Sequence, residues 1–155
     1  METKILRIDA KTTFALRHPL LRKGRPLSDC PFENDTHPES LHLGAYDQKR
    51  LVGILSALPN PYPKAPDPLS YQLRGIAVLP SYERKGIASQ LIQKAIAILS
   101  NEHRLEILWL NARIQAQNLY LNNGFKAIGA TFEIAGIGTH QRFFKKFNPW
   151  LEVSF

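Results

Sequence analysis

Between positions 85 and 100, Ala88, Leu91, Ile92, Ala95, Ile98 and Leu99 recur at three- and four-residue spacing. That stripe predicts an amphipathic helix. Residues 105–110, LEILWL, form a nearly continuous apolar run, the pattern of a buried strand. Residues 71–78 read as a strand that stops at Leu79 and Pro80. Strand, helix and buried strand in this order predict a βαβ unit with a right-handed crossover. Upstream, residues 4–8 read as a short strand. Residues 11–22 read as a helix with Phe14, Leu16, Leu20 and Leu21 available for burial, ended by Gly24 and Pro26. Residues 29–39, with two prolines, Asn, Asp and Thr, predict a loop. Residues 40–46 and 51–58 are strand-like and joined by Asp47-Gln48-Lys49-Arg50, which predicts a hairpin. The five prolines in residues 59–68 predict a semi-rigid surface loop. Downstream, a helix is predicted over 114–122, stopping at Gly124 as a left-handed cap. Strands over 126–134 and 140–147 flank the turn AGIGT and should pair as an antiparallel hairpin, with Pro149 ending it.

The order β-α-ββ-β-α-β-α-β-β predicts an α/β fold: a mixed sheet of about seven strands with helices on both faces, and one domain over residues 1–155. Hydrophobic residues make up 44% of the 155, enough for a core without a covalent staple. The lone cysteine, Cys30, excludes a disulfide framework and a Cys-rich zinc site. His18, His37, His42 and His103 show no ligand spacing, so no metal is expected. The segment METKILRID has no apolar signal core and no run reaches the ~18 residues of a membrane span. The expected location is the cytoplasm, away from membranes. The net charge is +7. Its cations are scattered, and short clusters such as Arg22-Lys23-Arg25 and Lys145-Lys146 lack the aromatic interleaving of a nucleic-acid surface. A solvated basic surface and steering of a polyanionic cofactor both fit this charge; a nucleic-acid partner does not.

The segment 78–88, VLPSYERKGIA, carries the most chemistry. A strand ends, a tight turn follows, and a helix opens with Gly86 and Ala88 near its first turn. Amides at a helix N-terminus point outward with partial positive charge, and small residues let a ligand approach them. Such a turn suits a pyrophosphate, and Arg84 and Lys85 add positive charge. A plain strand-to-helix turn with a packing glycine is the other reading.

This segment resembles the coenzyme A-binding signature of the GNAT acetyltransferases, Arg/Gln-x-x-Gly-x-Gly/Ala after Val-x-Pro. Val78-x-Pro80 and Gly86-x-Ala88 match, whereas Glu83 stands where the family usually has Arg or Gln. Farther on, Leu119, Tyr120, Gly124 and Phe125 match the family's Leu-Tyr-x-x-x-Gly-Phe, and Arg113 lies where many members have Asn. The motifs span residues 71–125. A looser similarity, to GNAT branches that include ElaA-like proteins, reaches Phe132, Glu133 and His140. The resemblance implies a mostly antiparallel GNAT-type sheet with a central parallel β4/β5 pair. It also implies an acetyl-CoA-dependent N-acetyltransferase in which an amine of a small molecule or peptide attacks the thioester directly. Acetyl-CoA would bind in the cleft between the fourth and fifth strands through Ala77, Val78, Arg84, Lys85, Gly86, Ile87, Ala88, Ser89, Asn111, Asn118 and Tyr120. The Val78 amide would stabilise the oxyanion, and Tyr120 would protonate the departing thiolate; packing under the fifth strand is the alternative role for that tyrosine. Asn111 reads equally as a cap for the next helix, and Asn118 as a solvated helix residue. Glu133 and His140, at the turn that closes over substrate in similar proteins, are the candidate bases, although a base residue is dispensable where water removes the proton. A coenzyme A-binding module without transferase activity is the competing class, favoured by Glu83. A homodimer is compatible with this reading. The loops over 23–40 and 59–68 lie where GNAT acceptor sites are usually built, and their composition names no acceptor.

Overall fold

The computed structural model describes residues 2–63, 69–148 and 150. Its strands are β1 (Thr3–Arg7), β2 (Leu41–Asp47), β3 (Arg50–Pro59), β4 (Ser70–Val78), β5 (Ile107–Arg113), β6 (Lys126–Ile134) and β7 (Gly138–Lys146). Its helices are α1 (Ala10–Leu21), α2 (Ile87–Glu102) and α3 (Gln117–Asn122). The strands form one sheet in the order β1-β2-β3-β4-β5-β7-β6. β4 and β5 are parallel; β1–β2, β2–β3, β5–β7 and β6–β7 are antiparallel. This is the mixed α/β sheet that the alternation of patterns predicts. Two compact units divide the chain, Met1–Pro59 with Leu73–Ile98, and Asn60–Gln72 with Leu99–Phe155.

In the first unit, β1 lies on β2 from Thr3↔Asp47 to Arg7↔Leu43. The β2–β3 hairpin turns at Gln48, which takes a positive φ of 55°. Its core is the run Leu41, Leu43, Ala45, Val52, Ile54, Leu55 and Ala57, each at most 2% exposed. Asp9 starts α1 as an N-cap, accepting from the Thr12 amide at 2.8 Å and from the Thr12 hydroxyl. These bonds favour the ionised carboxylate and hold Asp9 below its usual pKa.

The buried face of α1 is Thr13, Leu16 and Arg17, while Phe14, Leu20 and Leu21 are only half-buried. This corrects the predicted apolar face. The reason is a polar network that makes burial of a guanidinium tolerable. Arg17, fully buried, donates from Nη1 and Nη2 to both carboxylate oxygens of Asp35, at 2.7 and 3.0 Å. It also donates to the Cys30 carbonyl at 3.1 Å and to Ser56 Oγ at 2.8 Å. Asp35 further accepts from the Phe32 amide at 2.9 Å. His42 bridges Ser56 Oγ and the Asp35 carbonyl. A buried ion pair is tolerated where further hydrogen bonds accompany it: here the loop before β2 supplies the Cys30 carbonyl and the Phe32 amide and β3 supplies Ser56 Oγ, while Arg17 Nε stays without a partner among the described residues. The stretch 29–39 is therefore a loop folded around a charge, opened by a short 3-10 turn at Leu27–Asp29.

Gly75 explains the packing above this network. It has φ +64 in the middle of β4, and a Cβ there would stand 2.7 Å from the Phe32 ring. Only glycine meets both demands. Leu79 N donates to Val52 O and ties the end of β4 to β3.

The second unit holds the parallel register Ser70↔Ile107 to Gln72↔Trp109. β5 then pairs β7 from Ile107↔Lys146 to Arg113↔His140, and β7 pairs β6. Tyr62, Ile107, Trp109 and Ile128 pack together, with Phe144 against them. The proline-rich stretch is not wholly a surface loop: Tyr62 is 2% exposed and meets Trp109 edge-on. Asn60 also belongs to the strand framework, its amide donating to Ser70 O and its carbonyl accepting from Trp109 Nε1. Residues 64–68, and Pro149 as the end of the last hairpin, lie outside the described residues. β6 has the predicted bounds, β7 begins two residues earlier than predicted, and β5 runs on to Arg113. The predicted helix over 114–122 divides into a 3-10 turn, Ile114–Ala116, and α3, closed by Gly124 at φ +86.

Candidate active site

The strand-to-helix turn is built as a row of outward-facing amides. After Val78 the chain makes a 3-10 turn, Pro80–Tyr82, then enters α2 at Ile87. Tyr82 N donates to Leu79 O, Glu83 N to Pro80 O, and Gln90 N to Gly86 O. The amides of Arg84 through Ala88 have no backbone acceptor outside the helix among the described residues, and the first turn of a helix offers none inside it. Arg84 takes φ 61 and Gly86 φ 77, so two left-handed residues flank Lys85 and bend the amides into an anion-binding concavity. Nothing lies within 4 Å of where a Cβ on Gly86 would point. The turn is therefore open in front of the glycine.

Three contacts hold the turn in place. Tyr82 donates to Asp47 Oδ2 at 2.7 Å, and Arg50 and Lys85 lie 5.5 and 5.8 Å from its ring centre. Its bond to the Asp47 carboxylate raises the phenol pKa. Tyr82 is missing from the sequence reading, because only the fold brings the β2–β3 hairpin beneath the turn. Glu83 is exposed and makes no ion pair with Arg84 or any other described residue. The carboxylate in the usual Arg/Gln position is left to solvent.

The other residues expected in cofactor contact occupy differing settings. Ala77 and Val78 are half-buried at the end of β4. Ile87 contributes a core side chain, 2% exposed and packed over Gly53, so only its amide faces outward. Ala88 and Ser89 are half-buried in the first turn of α2, and Arg84 and Lys85 are exposed. Asn111 lies inside β5 rather than at its exit. Its Oδ1 accepts from Arg142 Nε at 3.2 Å, and it caps no helix, since the residue before the 3-10 turn is Arg113. Asn118 is exposed on α3.

Tyr120 is 7% exposed, with its ring 6.0 Å from Phe125 and 5.7 Å from Phe143. Its carbonyl accepts from the Asn123 and Phe125 amides, which locks the turn that Gly124 makes. Burial disfavours the phenolate and pushes the pKa up to about 12. A folded-state pKa above the ordinary 10 means that this stabilisation is complete below pH 10 and lost as pH climbs through 12. Between pH 9 and 12 the unfolding free energy of the wild type should fall about 2 to 3 kcal/mol further than that of Tyr120→Phe. Urea unfolding across this range checks it; parallel curves would mean the phenol is not desolvated.

Glu133 and His140 are not brought together. Glu133 is exposed, opposite Thr139, whose hydroxyl it accepts from; His140 is opposite Phe132, with the rings stacked at 5.8 Å. Cross-strand partners share a face and successive residues alternate, so the two candidate bases point to opposite faces of the hairpin. His140 is 7% exposed, and its Nδ1 donates to the Gly138 carbonyl at 2.8 Å. A carbonyl only accepts, so Nδ1 carries the proton and Nε2 keeps the lone pair a base needs.

Among the described residues no group of three His, Cys, Asp and Glu is placed to hold a metal ion, and no helix is long and apolar enough to cross a membrane. The family model "Acetyltransferase (GNAT) family" matches residues 7–125. The chain belongs to the GNAT acetyltransferases. It is an acyltransferase, an N-acetyltransferase whose acceptor is unidentified. It is 33% identical over 133 residues, 86% of this chain and 89% of the relative, to the uncharacterized N-acetyltransferase YitI of Bacillus subtilis (strain 168). The fold is similar to that of a chain in the NatC complex bound to Gag peptide and CoA. There the TM-score is 0.78 at 21% identity, over 96% of this chain and all of that one. It is also similar to Escherichia coli ElaA, with a TM-score of 0.72 at 17% identity over 94% and 99% of the two chains.

Proposed function

We propose that this GNAT enzyme takes its acetyl group from acetyl-CoA, with no metal, and passes it to the amine of a small molecule or peptide by direct attack. The carrying observation is the turn from Arg84 to Ala88: amides with no backbone acceptor outside the helix among the described residues, two left-handed residues and open space before Gly86. The pyrophosphate lies on these amides, Arg84 and Lys85 supply long-range attraction, and the exposed Glu83 turns to solvent. The Val78 amide receives the oxyanion that forms when the amine adds to the thioester carbonyl. Tyr120 donates to the sulfur as the tetrahedral intermediate collapses. A phenol near 12 is a weaker acid than a thiol near 8.5, so its proton is held at every physiological pH and its help is a hydrogen bond that strengthens as charge grows on sulfur. His140 Nε2 is the better placed of the two bases, since the lone pair on that nitrogen is free; the exposed Glu133 is bonded to Thr139. Asn111 and Asn118 are polar contacts of the coenzyme arm. The family match runs through both compact units, which supports one catalytic domain over residues 1–155, working in the cytoplasm.

Calorimetric titration with coenzyme A tests the cofactor, and absence of binding at millimolar concentration would refute it. A mass-spectrometric screen of amines and peptides with acetyl-CoA then identifies the acceptor: the expected result is a product 42 mass units heavier, roughly one acetyl group on nitrogen.

A further inference from the structure

The first unit carries more positive charge beneath the acceptor loop than its own carboxylates neutralise. Three guanidiniums face the one Phe32 ring: Arg17 at 3.8 Å, Arg74 at 4.2 Å and Arg22 at 5.6 Å from its centre. Phe32 is 8% exposed and pinned from below by Gly75, whose missing Cβ makes room for the ring edge. Asp35 is the buried carboxylate of the group, and it is spent on Arg17 and the Phe32 amide. Among the described residues, the Arg22 side chain donates only to the carbonyl of Leu21. Arg74, half-buried on β4, makes no hydrogen bond or ion pair with any described residue. Burial and the charges of Arg22 and Arg17 push its pKa down, with Asp35 and the exposed Glu33 acting weakly in the other direction. A half-buried cation with no acceptor is costly. An aromatic face relieves part of that cost, and an anion would relieve the rest.

We propose that Arg74 and Arg22, both gathered at the Phe32 ring, form a subsite for the carboxylate of the acceptor, so that the substrate is an amine that also carries a free carboxylate, as amino acids and peptides do. This deepens the N-acetyltransferase reading and rests on it for the word acceptor. The chemistry favours a carboxylate because a planar guanidinium offers paired N–H donors to two oxygens at once, and a second cation at the same ring adds attraction. Arg74 is on the strand that ends at Val78, four residues or about 13 Å of extended chain away. Arg74 and the Val78 amide are thus fixed on a single strand, and the span suits a peptide or an amine at the end of a long side chain better than an α-amine beside its own carboxylate. Glu33, on the same loop, would repel a ligand carrying extra carboxylates, which favours a single carboxylate near the ring.

The test is calorimetric titration of the whole chain, saturated with coenzyme A, with amino acids and short peptides as free carboxylates beside the matching C-terminal carboxamides. The carboxylate form of at least one pair should bind about 10- to 100-fold tighter than its amide. That preference should collapse in Arg74→Gln, shrink in Arg22→Gln, and survive in Arg25→Gln, a control at an exposed cation of the same loop that pairs with Asp29. Thermal unfolding of each variant, and partial retention in Arg74→Lys, separate loss of the subsite from loss of the fold. Equal binding of carboxylate and amide, an intact preference in Arg74→Gln, or no binding by any member while coenzyme A binds, each overturns the proposal. Failure of coenzyme A itself to bind would sink the acetyl-transfer reading instead. An Arg74-dependent carboxylate preference without the coenzyme would leave the subsite standing.

Discussion

Replacing Gly86 with glutamate abolishes coenzyme A binding while leaving the chain folded. The space around a Cβ at Gly86 is empty to 4 Å, so the new side chain starts in open space and projects where the pyrophosphate is proposed to lie. A unit negative charge about 4 Å from a phosphate costs roughly 4 kcal/mol at the effective dielectric of a protein surface, close to a thousandfold in affinity. The backbone adds a smaller term. At φ 77 any side chain is strained by about 1 to 2 kcal/mol, which lowers the melting temperature without unfolding the chain. Gly86→Ala carries that strain without the charge and should keep most of the affinity. Titration calorimetry and thermal unfolding on both variants separate the two effects. An unchanged dissociation constant in Gly86→Glu would place the pyrophosphate elsewhere.

Tyr120→Phe should lower kcat by about 10- to 100-fold, the worth of one hydrogen bond to a charged group, toward the small end where water reaches the sulfur, and should barely alter coenzyme A affinity. The substitution keeps the ring that packs on Phe125 and Phe143 and deletes only the hydroxyl, which forms no hydrogen bond among the described residues. The charge it answers appears on sulfur late in the reaction, so the loss falls on the transition state and not on the bound ground state. Steady-state kinetics with the acceptor found by the screen, beside coenzyme A titration, gives the two numbers. Full activity would remove Tyr120 from the chemistry. Equal loss of binding and rate would assign it to packing alone.

Local patterns carried α2, β6 and the Gly124 cap into view, because each is decided within a few residues. The apolar stripe of α2 must face a core whatever that core contains, and Leu91, Ile92, Ala95 and Leu99 are all at most 1% exposed. A glycine after the last helical turn is where a left-handed residue is needed, and Gly124 takes φ +86. The two family motifs were legible for the same reason: a strand end, a turn and a helix start lie on one continuous stretch.

Other features depended on partners far along the chain. Arg17 in a helix reads as solvated until Asp35 and Ser56, 18 and 39 residues away, converge on it. Tyr62 in a run of prolines reads as loop until Trp109 packs against it. Glu133 and His140 look like neighbours in sequence, and only the β6–β7 register assigns them to opposite faces. The sequence by itself determined the elements, their order and the chemistry of the amide-rich turn, since hydrophobic period, glycine conformation and missing helical partners are properties of short segments. The tertiary structure alone decided which charges are buried, which guanidiniums share the Phe32 ring, and how far burial lifts the phenol of Tyr120. Those depend on desolvation and on groups that meet only when distant segments pack.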